Sequence, residues 1–82
     1  MPYIKPESRE HATHRPMTVG ELNFAITHMI VSYLERQGVC YETLNDCVGV
    51  LECCKHEFIR RIVVPYEETK REENGDCYGE LV

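Results

Sequence analysis

Two adjacent arginines followed by a tyrosine are the side chains of this sequence best suited to hold a ligand. Arg60 and Arg61 precede Val-Val-Pro and then Tyr66. The planar guanidinium fits phosphate groups, and a tyrosine ring offers a face on which a base can stack. Neighbouring side chains on a helix point about 100° apart, so the two arginines face different surroundings. The cluster indicates either a site for a small anionic, nucleotide-like ligand or structural ion pairs with Glu57, with Glu67 or with a neighbouring chain.

Two further side chains complete the predicted ligand site. Asn23 falls in the first turn of a predicted helix, where free backbone N–H groups can bind anions. Helix capping is the alternative role for Asn23. Tyr3 is an aromatic residue in the N-terminal segment, apolar enough to dock on another surface. The predicted ligand-binding residues are therefore Arg60, Arg61, Tyr66, Tyr3 and Asn23.

Histidines and cysteines supply ligand-type side chains, but their spacing does not predict a metal site. His11 and His14 lie in a proline-rich segment, and the segment Cys53-Cys-Lys-His56 places Cys54 off the face that Cys53 shares with His56. A structural zinc site needs four convergent ligands. Cys40, Cys47 and Cys54 are seven residues apart, which is typical of small core residues on one helix stripe. We expect no metal, no cofactor and no activated thiol.

The helices that must position these residues begin at two capping signals. Thr18 and Glu21 form a capping box, and Gly38 is a natural helix stop, which predicts a first helix over about 19–36. Its apolar seam repeats at alternating spacings of three and four residues. The seam comprises Val19, Leu22, Ile26, Met29 and Tyr33.

A second helix is predicted over about 44–64, with Thr43 as its N-cap and Asp46 as the capping partner. Its main apolar stripe consists of Leu44, Val48, Leu51, Phe58 and Ile62, whereas Val50, Ile59, Val63 and Val64 lie off that stripe. Pro65 should break or kink the helix. A third segment over 66–73 then ends at Asn74-Gly75, and a short tail follows that could dock through Tyr78 and Leu81.

These elements predict an all-α fold, an antiparallel helical hairpin with a kinked C-terminal helical segment. Residues 1–16 contain three prolines and are predicted to form an extended arm, with 17–82 as a single helical domain. Both helices carry more apolar surface than one hairpin contact consumes, and 82 residues make a marginal core. The chain is therefore expected to assemble into a homo-oligomer.

Charge and composition narrow the remaining function classes. The net charge is −5, and residues 66–82 hold six acidic against two basic side chains. This argues against general nucleic-acid binding, which needs a basic face. No apolar run approaches the roughly 20 residues that span a bilayer, so no membrane partner is expected. Five cysteines without a secretory signal favour a reduced, cytoplasmic protein.

Several stretches together resemble a family of small uncharacterised proteins from tailed bacteriophages and prophages. They are Met1-Pro-Tyr-Ile-Lys-Pro6, Gly20-Glu-Leu-Asn23, Leu44-Asn-Asp-Cys-Val-Gly-Val-Leu51, Glu57-Phe-Ile-Arg-Arg61 and the segment from Pro65 to Asp76. The resemblance covers nearly the whole chain. It implies a phage accessory or counter-defence protein in the cytoplasm of an infected host. Such a protein would sequester a nucleotide-like signalling molecule at an inter-subunit site or, alternatively, inhibit a host protein through an acidic helical surface.

A hydrolytic enzyme is the third alternative. The segment Glu72-Glu-Asn-Gly-Asp76 resembles the E-x-x-D segment of all-helical nucleotide pyrophosphohydrolases. In that family an E-x-x-E pair on an earlier helix completes the magnesium site. Here that spacing occurs only at Glu7 and Glu10, in the N-terminal segment. Half a site does not hold the metal that polarises a phosphate, so we predict no catalytic residues and no enzymatic activity.

Overall fold

The computed structural model describes residues 1–81, and this part of the chain is helical without a β-strand. The α-helices are α1 (Arg9–His14), α2 (Val19–Gln37), α3 (Tyr41–Phe58) and α4 (Val64–Asn74), with a π-helical turn over Ile59–Val63 between the last two. Short 3-10 turns occupy Pro6–Ser8 and Gly79–Leu81. The chain divides into two compact units, Met1–Cys47 and a second that begins at Val48. The all-α prediction is confirmed for the described residues, and Val82 lies outside them.

Helix α2 begins at the predicted cap. The Thr18 hydroxyl accepts a hydrogen bond from the Glu21 backbone N–H at 3.1 Å. The Glu21 carboxylate reaches back to the Met17 N–H at 3.0 Å, one residue earlier than in a standard capping box. At the other end Gly38 has φ 90° and donates its N–H to the Leu34 carbonyl at 2.7 Å. Both predicted ends of this helix are therefore confirmed to within one residue.

The N-terminal segment is not the extended arm that its prolines predict, because residues 6–14 are helical. Pro6 occupies the first position of the 3-10 turn, where a missing N–H costs nothing, and Pro16 follows the end of α1. Helix α1 packs against α2 and buries Ala12 completely. The Arg9 guanidinium lies 5.4 Å from the centre of the Phe24 ring. The N-terminal segment therefore covers the side of α2 on which Phe24 lies.

Helix α3 begins three residues earlier than predicted, so the assignment of Thr43 as its N-cap is wrong. The Leu44 N–H already bonds to the Cys40 carbonyl at 3.0 Å, which makes Cys40 the capping residue. The Thr43 hydroxyl accepts the Cys40 N–H at 3.1 Å and donates to the Gly38 carbonyl at 2.7 Å. Thr43 is therefore the third residue of the helix, and its hydroxyl bonds back to the N-cap residue Cys40. The same hydroxyl stabilises the turn between α2 and α3 through its bond to Gly38.

The helical backbone continues through Pro65, which takes the second position of α4. The sequence instead predicts one helix to about 64 and another from 66. Helix α4 ends where Asn74-Gly75 predicts, with Gly75 at φ 89° and its N–H bonded to the Arg71 carbonyl at 2.8 Å. Leu81 is exposed and Tyr78 only borders a shallow groove, so neither side chain of the tail is buried.

Little apolar surface is buried within either unit. Among residues 1–81 only Ala12 and Cys47 are buried, and between Val48 and Leu81 only Val63 is even half-buried. The five positions of the α2 seam are exposed, as are Leu51, Phe58 and Ile62. Cys40, Cys53 and Cys54 are exposed too, so within this chain the predicted core role holds for Cys47 alone. Each unit therefore presents apolar side chains that the described chain does not cover.

Between Met1 and Leu81 the structure contains no helix with the length and apolarity to cross a bilayer.

Candidate functional site

The predicted arginine pair lies in the π-helical turn between α3 and α4. The Val64 N–H bonds to the Ile59 carbonyl five residues earlier, where an α-helix would use the residue four earlier. Pro65 explains this local change, because it lacks an N–H for the Arg61 carbonyl and its ring crowds that carbonyl in a regular α-helix. One wider turn relieves both problems without ending the helix. Single π-turns within α-helices occur frequently at functional sites.

Arg60 and Arg61 share one carboxylate. Arg60 Nη2 contacts Glu57 Oε2 directly, and Arg61 Nη1 lies 3.9 Å from Glu57 Oε1. The arginine side chains remain 71% and 73% exposed. Two positive charges facing one negative charge leave the cluster with a net charge of about +1. The predicted ion pairing of the arginines with Glu57 is confirmed. The remaining positive charge favours an additional anion.

Tyr66 lies one turn beyond the arginines, at the start of α4. Its ring is exposed, and Lys70 Nζ lies 5.6 Å from the ring centre. A cation over one ring face is worth about 0.5–1 kcal/mol at an exposed site. The structure therefore places three of the five predicted ligand residues, Arg60, Arg61 and Tyr66, within seven consecutive positions of one helical run.

Tyr3 and Asn23 belong to the first compact unit, whereas the arginines belong to the second. Tyr3 is exposed. The Asn23 amide oxygen accepts a hydrogen bond from the Thr27 hydroxyl at 3.4 Å, a contact one turn along the same helix. This local bond gives Asn23 a role within α2, and the participation of Tyr3 and Asn23 in a site with Arg60 stays a prediction.

Two shallow grooves border the charged helices. One, of about 400 Å³, runs along α4 and the segment after it and is lined by Glu67, Glu68, Lys70, Arg71, Gly75, Asp76, Cys77 and Tyr78. The other, of about 410 Å³, is lined by Glu7, Glu10, His11, His14 and Arg15. In residues 1–81 no three His, Cys, Asp or Glu side chains are grouped so that they could hold a metal ion. The carboxylate pair Glu7/Glu10 and the segment that ends at Asp76 lie in different units.

A polar network around Glu21 was not anticipated from the sequence. His11 Nε2 lies 2.9 Å from Glu21 Oε1, which also accepts the Met17 N–H. The Met17 N–H is the main cause that lowers the pKa of Glu21, with His11 adding to it and partial desolvation opposing it. His11 thus joins α1 to the start of α2. The one sequence signal for this contact is the position of His11 two turns before the capping box, whereas the prolines predict an extended segment there.

Cys40 is the second group that sequence reasoning missed. The backbone N–H and hydroxyl of Thr43 lower the pKa of the Cys40 thiol, because both stabilise the thiolate. Cys40 Sγ lies 3.6 Å from Thr43 Oγ1 and is exposed. Recognising Cys40 as the N-cap of α3 would have indicated this shift, since a helix N-terminus favours the thiolate.

Comparison with known proteins assigns the chain to a family without describing an activity. No curated protein and no solved structure gives a significant match to it. A family model described as a domain of unknown function, DUF6899, matches residues 1–77. The predicted membership of an uncharacterised family is thereby confirmed, whereas the phage origin stays a prediction. The chain belongs to the DUF6899 family.

Proposed function

We propose that this protein is a non-enzymatic helical module that works as a homo-oligomer. One observation carries the proposal: between Val48 and Leu81 only Val63 is even half-buried, although this stretch contains Leu51, Phe58 and Ile62. Helices in proteins gain most of their stability from packing an apolar face, so a helical run that buries almost none of its apolar side chains needs an external contact. Contiguous exposed apolar surface is typical of interaction sites.

A second copy of the chain is the partner that we propose. The α2 seam has the alternating three- and four-residue spacing with which helices pair in coiled coils, and all five of its side chains are exposed. In the proposed assembly α2 and α3 form an antiparallel hairpin, the helix bends at the π-turn, and neighbouring copies cover the remaining stripes. This arrangement buries the apolar residues that each unit leaves uncovered.

The proposal is tested by the concentration dependence of unfolding. If folding and assembly are coupled, the melting temperature measured by circular dichroism rises with protein concentration, because mass action favours the assembled state. A melting temperature that is constant over a hundredfold range of concentration, together with a monomeric mass in sedimentation, would reject the oligomer.

A small anionic, nucleotide-like ligand at the Arg60/Arg61 turn is the second part of the proposal. Two exposed guanidinium groups share the single Glu57 carboxylate, so this turn keeps an excess positive charge. The exposed ring of Tyr66 lies about one helical turn further along the chain. A phosphate could take one arginine while Glu57 keeps the other.

The ligand part is tested with a panel of nucleoside monophosphates, nucleoside triphosphates and cyclic mono- and dinucleotides. Replacing Arg60 and Arg61 with alanine should abolish binding of any member that the wild type retains. The matched control replaces Arg15 and Arg36, which also removes two exposed positive charges but from the first unit, away from Tyr66 in sequence. Binding that survives the Arg60/Arg61 change, or that is lost equally in the control, would reject this site.

Sequestration of a host signalling nucleotide by a phage or prophage accessory protein is the biological role that we propose for this binding, in the cytoplasm of an infected cell. Inhibition of a host protein through the acidic C-terminal surface is the alternative. The groove along α4 supports this alternative, because α4 and the following segment carry mainly acidic side chains. A stable complex with a host protein that is lost when residues 66–82 are deleted would favour the inhibitor.

A further inference from the structure

The helical run from Lys55 to Glu73 carries opposite net charges on its two sides. Residues 55–61 hold three basic side chains and one acidic one, whereas residues 67–73 hold four acidic and two basic ones. All of these charged side chains are exposed. The backbone between the two groups is continuously helical, passing through the π-turn and Pro65. A net charge of about +2 is therefore followed, a short distance along one helical run, by a net charge of about −2.

We infer that the second copy lies antiparallel across this run, about a two-fold axis near Val64; this inference rests on the self-association proposed above. In a two-fold contact each residue of one copy meets a given residue of the other, and the reverse contact occurs as well. With the axis at Val64, the basic group of each copy lies at the height of the acidic group of the other. Lys55 and Glu73 are seven residues from Ile62 and Tyr66, respectively, so the charged pair that opposes across the contact is Lys55 with Glu73. Arg60 and Glu68 lie about 160° around the helix from Ile62 and Tyr66, on the side away from the contact.

The parallel arrangement is disfavoured by the same charges. It would set the net positive group of one copy beside that of the other, and likewise the two net negative groups. Like charges across an interface are strongly unfavourable, and flanking charges commonly decide the direction of paired helices. The net charge changes sign at Val64, so the antiparallel arrangement places opposite net charges together at both ends of the contact.

The ion pairs within each chain do not block this arrangement. Glu68 Oε2 pairs with Arg71 at 2.6 Å, and Glu73 Oε2 pairs with Lys70 at 3.2 Å. A carboxylate has two oxygens and about four acceptor positions, so each of these groups can accept a second donor from the other copy. Lys55 of the other copy would extend the Lys70–Glu73 pair into an alternating network at each end of the contact.

The apolar side chains near the axis fit the same geometry. Ile62 of one copy lies at the height of Tyr66 of the other, and both are exposed in the single chain. Val64 lies at the height of the axis but about 160° around the helix from Ile62 and Tyr66, so the latter two side chains of each copy form the apolar centre of the contact. The contact from Lys55 to Glu73 is about 27 Å long at 1.5 Å per residue, five turns of helix. A contact of this length has apolar residues at its centre and charged residues at its ends, as specific interfaces do.

Zero-length carbodiimide cross-linking tests the direction on the native full-length protein. Chains with natural isotopes and chains labelled with ¹⁵N are mixed, and cross-linked peptides that combine both labels report contacts between copies. We expect mixed-label links from Lys55 to Glu73 or Glu72. Links within a chain, Lys55 to Glu52 at 3.6 Å and Lys70 to Glu73 at 3.2 Å, serve as positive controls.

The outcomes separate this inference from the proposal on which it rests. Mixed-label links from Lys55 to Glu52 or Glu57 in an oligomer would indicate parallel copies and overturn the direction alone. An oligomer that forms the control links but no mixed-label link from Lys55 to Glu72 or Glu73 would also overturn it. A monomer by sedimentation would overturn self-association itself.

Charge exchange gives an independent readout of the same contact. Lys55→Glu should weaken self-association about tenfold, since it places a repulsive pair at both symmetric ends. Adding Glu73→Lys in the same chain should restore the affinity, with helicity by circular dichroism as the folding control. Failure of the second change to restore association would contradict the antiparallel arrangement.

Discussion

Truncation of Ile62 to alanine should weaken self-association strongly, because Ile62 lies on the apolar stripe of the second unit and is 58% exposed in the single chain. The change removes three carbons, worth about 2.4 kcal/mol if they were transferred fully from water. Only the exposed fraction remains to be buried by a partner, which reduces this to about 1.4 kcal/mol per copy. Two copies in a dimer give about 2.8 kcal/mol, or a dissociation constant about 100-fold higher.

Val50→Ala is the matched control for this change. Val50 is 55% exposed, similar to Ile62, but it lies off the apolar stripe. Alanine has a higher helix propensity than isoleucine or valine, so neither change weakens the helix itself. Sedimentation equilibrium over a dilution series measures both dissociation constants. An Ile62→Ala constant within about threefold of wild type, or an equal loss in Val50→Ala, would refute the reasoning from the exposed stripe.

Three further predictions follow from local geometry. Gly49→Ala should stabilise the protein by about 1 kcal/mol in chemical denaturation, because among residues 1–81 no atom beyond the adjoining helix backbone lies within 4 Å of the added carbon. Destabilisation would indicate a close partner at this point. The pKa of Glu21 is lowered by the Met17 N–H. Its stabilising contribution is therefore present above pH 4.5 and is lost as the pH falls through the lowered pKa, and Glu21→Gln should remove that part of the acid-induced loss. Thr43→Val should slow alkylation of Cys40 near neutral pH, because the hydroxyl that helps to lower the thiol pKa is gone; an unchanged rate would contradict that cause.

Local signals account for the parts of the fold that the sequence predicts well. The cap at Thr18 and the stops at Gly38 and Gly75 depend on contacts within a few residues, and each lies where expected. The start of α3 was missed because a threonine hydroxyl can act either as the cap or as the group that reaches back to it. Choosing between Thr43 and Cys40 requires the path of the preceding turn, which the sequence pattern does not contain.

Proline was the other source of error, in two different ways. Pro6 and Pro16 suggested an extended arm, yet they lie at and beyond the ends of a short helix, where a missing N–H is tolerated. That helix is held by the burial of Ala12 against α2, a contact between segments that no local pattern reveals. Pro65 predicts a break or a kink in the helix. The break does not occur, because the backbone widens by one π-turn and continues, whereas the kink stays a prediction.

The candidate site was predictable to the extent that it is local. Arg60, Arg61 and Tyr66 fall together because they are close in sequence, and pairing of the arginines with Glu57 follows from helical spacing. A relation of Tyr3 and Asn23 to that cluster depends on contacts between units and between copies. The sequence shows that the helices carry more apolar side chains than one hairpin buries. It does not show which partner covers them.

Native mass spectrometry of the protein purified gently from cells is the most direct test of the central claim of self-association. Self-association predicts a dominant species at a multiple of the 9.6 kDa chain mass. A few hundred daltons of additional mass, released on denaturation, would identify the proposed nucleotide-like ligand as well. A single species at the chain mass, at concentrations where circular dichroism shows the full helix content, would contradict self-association.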